Sequence, residues 1–71
     1  MEMQAVTSTD VSEIGYDYES ATLRIRFLKG GILYDYYNVP EEIYLGLMNA
    51  PSIGQYLNVY IKKGGYPYAK I

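Results

Sequence analysis

Apolar and polar positions alternate through the first half of the chain. In Ile14-Gly15-Tyr16-Asp17-Tyr18 the even positions are apolar, and in Leu23-Arg24-Ile25-Arg26-Phe27 the odd ones are. Ile32, Tyr34 and Tyr36 continue the pattern on one face of a third segment. A period of two is that of half-buried strands. Glu19-Ser20 and Lys29-Gly30-Gly31 stand between the segments as turn signals, the glycines because they tolerate positive φ. The pattern predicts a three-stranded antiparallel meander.

Register follows from parity. A two-residue loop at Glu19-Ser20 pairs Tyr16 with Leu23. A two-residue loop at Gly30-Gly31 pairs Phe27 with Tyr34 and Ile25 with Tyr36. Both choices gather the apolar residues on one face, and a slip of one residue would scatter them. The expected inner face is Ile14, Tyr16, Tyr18, Leu23, Ile25, Phe27, Ile32, Tyr34 and Tyr36. The outer face places Arg26 between Glu13 and Asp35, and Arg24 beside Tyr37.

Beyond residue 39 the period lengthens to that of a helix. Pro40 suits a first turn, and Glu41 and Glu42 complement the helix dipole. Ile43, Tyr44, Leu47 and Met48 form an apolar stripe that ends at Asn49-Ala50-Pro51. Ser52 is the expected N-cap of a second helix, with Ile53, Tyr56, Leu57, Tyr60 and Ile61 as its stripe. Lys62, Lys63 and Gly64 close it. Residues 1–10 lack periodicity and read as a loose lead-in. Residues 11–71 read as a single domain. The tail Tyr66-Pro67-Tyr68-Ala69-Lys70-Ile71 alternates weakly, as a short edge strand would. The expected fold class is therefore α+β: the meander, then two short helices packed on one face, with a short C-terminal strand as an option.

Composition narrows the chemistry. The 71 residues include ten Tyr and one Phe but no His, Cys or Trp. Nucleophile pairs built on His or Cys, disulfides and the usual zinc ligands are all excluded. A domain this small buries only about 60% of its unfolded surface, and tyrosine is one way to fill a core while keeping a polar tip. The net charge is −2, which argues against a general polyanion binder. Charge is uneven, however. Residues 1–22 carry Glu2, Asp10, Glu13, Asp17 and Glu19 and no basic residue, whereas all six basic residues lie in 23–71. No run is long and apolar enough to span a bilayer, and the N-terminus lacks the basic and apolar regions of a signal peptide. The expected location is the cytoplasm.

Three groups of residues are candidates for binding. Arg24 on the central strand, with Tyr37 beside it, would meet a nucleic acid strand through stacking and phosphate contacts; an ordinary solvated sheet face is the simpler account of them. Lys62, Lys63 and Tyr66 would clamp RNA from a flexible segment, or would simply end a helix. Ser52 and Gly54 at a helix start would offer backbone N–H groups to an anion, or would be a plain N-cap. Tyr34 and Tyr36 share a strand face and would sandwich a base there, but parity assigns that face to the core. The carboxylates form no catalytic dyad, since Glu41 and Glu42 point to different sides of a helix. No catalytic residue, cofactor or metal is expected.

The order Ile14-Gly15-Tyr16-Asp17, Leu23-x-Ile25-x-Phe27, a glycine turn, Tyr34-x-Tyr36 and Val39-Pro40 resembles the KTSC domain. Ala50-x-Ser52-x-Gly54-x-Tyr56-Leu57-Asn58 and Ile61 extend the likeness over residues 6–71. That family occurs as a stand-alone bacterial and phage domain and at the C-terminus of some lysyl-tRNA synthetases. The resemblance implies RNA as a partner, with Tyr34, Tyr36, Ser52 and Gly54 matching family elements. Ile53 stands where many members carry Lys, which would weaken a phosphate site there. The sequence reading is thus a non-catalytic binding module for RNA. A self-associating protein-interaction domain, or a binder of a small nucleotide, is the alternative.

Overall fold

The computed structural model describes all 71 residues. Five antiparallel strands form one sheet in chain order: β1 (Met3–Ala5), β2 (Val11–Asp17), β3 (Thr22–Phe27), β4 (Leu33–Tyr36) and β5 (Tyr68–Lys70). Helix α1 (Glu41–Met48) and helix α2 (Ile53–Tyr56) lie between β4 and β5. A π-helical turn over Leu57–Lys62 continues α2. The meander, the two helices and the C-terminal strand are as the pattern predicts.

The lead-in is not loose. Met3 pairs with Gly15, Gln4 with Ile14 and Ala5 with Glu13. Periodicity does not reveal this strand, because it is three residues long and largely exposed. It is held by backbone hydrogen bonds, with Val6 donating to Ser12 O at 3.1 Å just beyond it. Gly15 makes room for the Met3 side chain, whose Sδ would lie 2.5 Å from a Cβ there.

The first hairpin has the expected register, with Tyr16 opposite Leu23. The second is displaced by two residues. Ile25 pairs with Tyr34 and Leu23 with Tyr36. The Phe27 N–H donates to Ile32 O at 2.8 Å, and a 3₁₀ turn over Lys29–Gly31 fills the loop. The cause is the turn: Gly30 and Gly31 both have positive φ (73° and 63°), but inside a four-residue connection. A shift of two preserves parity, so the faces stay as expected while every partner changes. Arg24 now faces Asp35 directly.

The core comprises Val11, Ile14, Leu23, Ile25, Tyr36 and Val39, covered by Tyr44, Leu47, Leu57 and Ile61 from the helices. Val11 reaches it because a bulge between Val11 and Glu13 resets the alternation of β2. Two residues expected on the inner face lie outside this core. Tyr18 falls in the turn after β2 and is 62% exposed, and Ile32 precedes β4 and is also exposed. On the second helix, Leu57 and Ile61 are buried while Tyr60 is exposed. The π turn, with Lys63 N–H bonding back to Asn58 O, widens the spacing there and moves Tyr60 off the stripe.

Candidate functional site

One side of the inner sheet face escapes the helices. Tyr36 and Tyr68 are direct cross-strand partners on β4 and β5, and Tyr34 lies two residues along β4 on the same face. The three rings are nearly parallel, with interplanar angles of 25–36° and centroids 5.7–6.3 Å apart. Phe27, at the end of β3, meets Tyr34 edge-on at 5.7 Å. Tyr36 is 4% exposed and Tyr68 is 64% exposed, so the cluster runs from the core to solvent. Burial, with Tyr34 and Tyr68 adding to it, holds the Tyr36 phenol above its ordinary range.

These rings line a groove of about 850 Å³ that continues past Leu28, Lys29, Ile32 and Lys62 to Thr9 and Asp10. Lys62 Nζ stands 5.1 Å from the centroid of the Phe27 ring, a cation–π distance. Lys70 is paired with Tyr34 across β5 and so projects from the same face. In a chain of net charge −2, two lysines, Lys29 and Lys62, line this groove, and Lys70 stands beside Tyr34 on the same face. Flat apolar rings beside exposed ammonium groups can stack a planar ligand and neutralise its phosphates.

The residues singled out from sequence are divided by the fold. Arg24 sits on the opposite sheet face, where its Nε donates to Asp35 Oδ1 at 2.7 Å and its Nη2 to Oδ2 at 2.9 Å. That bidentate pair raises the guanidinium pKa further. Tyr37 is one step beyond Tyr36, so alternation turns it to the same outer side; its N–H donates to Pro67 O at 2.8 Å. Arg26 on that side is held by Glu13 at 2.9 Å and by Gly31 O at 3.1 Å. Lys62 enters the groove, Lys63 is exposed after it, and Tyr66 packs half-buried against the core. Arg24 and Tyr37 therefore do not join Lys62, Lys63 and Tyr66 in a single surface.

At the start of α2 the Ser52 hydroxyl accepts from Gln55 N–H at 3.3 Å. Gly54 lies under the Asp10 side chain, whose Oδ2 would be 2.5 Å from a Cβ at that position. Ser52 thus caps the helix with its hydroxyl, and the carboxylate that approaches Gly54 is the chain's own.

Sixty of these residues, 7–66, match the KTSC domain profile. The chain belongs to the KTSC domain family. An uncharacterised protein of Stutzerimonas stutzeri is 35% identical over 71 residues, covering 100% of this chain and 99% of its own. The crystal structure of a KTSC domain protein from Yersinia pestis superposes with a TM-score of 0.91 at 36% identity, covering 99% of this chain and 96% of that one. A lysine–tRNA ligase of Nostoc punctiforme is 38% identical over 52 residues, which are 73% of this chain and only 9% of the ligase. The KTSC fold thus stands alone in small proteins and recurs as a short part of that synthetase. Tyr34 and Tyr36, inside the matched segment, are the inner part of the groove. Ile53 packs against the core.

The sequence places Tyr68 in an optional edge strand, but does not show that its ring meets Tyr34 and Tyr36. Phe27 and Lys29 carry no site signal in the sequence: parity assigns Phe27 to the core beside Tyr34, and Lys29 belongs to the loop that the 3₁₀ turn fills. Two further tyrosine clusters lie elsewhere. Tyr16 stacks on Tyr44 with centroids 4.6 Å apart and planes 8° apart, and Tyr18 closes edge-on at 5.0 Å. The Tyr16 hydroxyl donates to Val39 O at 2.5 Å. Tyr56 packs on Tyr60 at 4.5 Å.

Proposed function

We propose that this KTSC protein is a non-catalytic module that binds unpaired RNA in the Tyr34–Tyr36–Tyr68 groove. The supporting observation is the placement of Lys29, Lys62 and Lys70 around an aromatic surface whose outermost ring is exposed. Aromatic stacking tolerates any base, and the lysines supply the phosphate contacts. The groove is too small to enclose a duplex, whereas one or two splayed bases fit its volume. The likeness to a segment of a tRNA ligase is consistent with an RNA ligand.

The test is fluorescence anisotropy with a labelled single-stranded RNA at low and moderate salt. Three lysine contacts predict that log K falls with log salt with a slope of about −2. Tyr68→Ala is expected to weaken binding by about 1–3 kcal/mol, the worth of one stacked base. Absence of binding at low salt would overturn the reading, since phosphate contacts strengthen there. Binding that is unchanged in Tyr68→Ala would move the site away from the groove.

A further inference from the structure

We infer that the groove selects guanine, and that Asp10 is the residue that reads it. This deepens the nucleic-acid reading above and rests on it. Asp10 is fixed at the end of the groove by its backbone. Its N–H donates to the Ser8 hydroxyl at 3.1 Å, and its carbonyl accepts from Leu28 N–H at 2.9 Å. Its exposed side chain passes over α2 at a point where only glycine leaves space, residue 54. Asp10 lines both the aromatic groove and an adjoining polar hollow of about 590 Å³ that Ser52, Gln55 and Asn58 also line. The molecule's salt bridges are Arg24–Asp35 and Arg26–Glu13. Asp10 takes part in neither, although Lys62 lines the same groove.

A carboxylate has two acceptor oxygens and no donor. A base stacked on the tyrosines turns its edge toward the groove wall. Guanine presents two adjacent donors there, N1–H and the N2 amine, which match the two oxygens. Adenine and cytosine set one amine beside a ring acceptor, which faces the second oxygen unfavourably. Uracil sets one N–H between two carbonyls. Edge hydrogen bonding of this kind is how unpaired bases are distinguished. An arginine side chain would also fit two carboxylate oxygens, but Lys29, Lys62 and Lys70 would repel it. Charge therefore favours a polyanion carrying the base.

The experiment is a titration of labelled oligouridylates carrying one central guanosine, adenosine, cytidine or inosine. The guanosine oligomer is expected to bind about tenfold tighter than the adenosine one, the discrimination of a good bidentate contact. Inosine lacks the 2-amino group and is expected to fall to the adenosine level. Asp10→Asn should erase the preference while leaving the adenosine oligomer bound at least as well. Gly54→Ala, which displaces the carboxylate, should erase it too. Equal affinity for all four oligomers, or a preference that survives Asp10→Asn, would overturn the assignment and leave the groove a base-tolerant RNA site. Failure of every oligomer to bind would overturn both readings. Asp10-dependent capture of an arginine-rich peptide in place of RNA would overturn them in favour of a protein partner.

Discussion

Ala21 holds left-handed backbone, with φ at 55°, as does Asn38 at 60°. Asn tolerates that region through its short amide, whereas Ala crowds its Cβ against the carbonyl. Ala21 cannot simply relax, because its carbonyl accepts the Val39 N–H at 2.9 Å and ties the first turn to the segment before α1. Ala21→Gly is expected to be neutral or stabilising by up to about 1 kcal/mol, and Ala21→Val to destabilise by more than about 1 kcal/mol, in urea unfolding. The Arg24–Asp35 pair gives a second prediction at this scale. The Asp35 side chain is 9% exposed and that of Arg24 is 32% exposed. Asp35→Ala leaves a guanidinium that can still turn partly to water, so the expected loss is about 1–2 kcal/mol rather than that of a fully buried charge. Asp35→Asn, which keeps one acceptor, should cost less. A thermal melt of the two variants checks the order.

Helix packing hinges on a small residue. A Cβ at Gly46 would collide with the Tyr56 hydroxyl and lie 2.8 Å from its Cζ, so α1 approaches α2 only because position 46 is bare. Gly46→Ala is expected to destabilise by about 1–3 kcal/mol despite its better helix propensity, the cost of overpacking. Adding Tyr56→Phe removes the nearest atom and should restore part of the loss. A melt of the double variant above that of Gly46→Ala alone is the outcome to look for. The elements themselves were readable, because alternation marks β2 to β4 and the stripes mark both helices. What parity cannot count is the length of a turn. Gly30-Gly31 announces a turn, but Leu28 and Lys29 belong to it as well, and that difference moved Asp35 from Arg26 to Arg24. The π turn is equally silent in the sequence, since Leu57 and Ile61 keep a helical spacing through it.

Taken over the whole molecule, the tyrosines make stability depend on alkaline pH. Burial raises the phenols of Tyr16, Tyr36, Tyr44 and Tyr56 above the ordinary 10.0, and nearby Glu41 adds to the effect at Tyr16. In the unfolded chain these groups release their protons near pH 10.0, while the folded chain retains them. The native state then binds more protons, so their contribution is complete below that pH and is lost as pH rises through the raised values. Melting temperatures followed by circular dichroism should be level from pH 7 to 9 and fall steadily above 10. A flat profile to pH 11.5 would contradict the buried phenols. The candidate site was less legible than the fold because it is assembled across this whole distance: Asp10, Phe27, Tyr34, Lys62 and Tyr68 come from five separate stretches of chain. Lys62 and, through the family resemblance, Tyr34 carry a signal for RNA in the sequence, whereas Asp10 and Phe27 carry none. Each strand of the sheet follows its neighbour directly except β5, which returns to β4 only after both helices. A three-residue edge strand is the part of a sheet that opens most readily. Its amide protons therefore exchange through local detachment rather than global unfolding, and Tyr68 swings away with it. Occupancy of the groove requires that strand to be seated, so a bound ligand should slow deuterium uptake at Ile71, whose N–H donates to Leu33 O, and at Tyr37, whose N–H donates to Pro67 O. The site is in this sense a latch, and its occupant is what holds it shut.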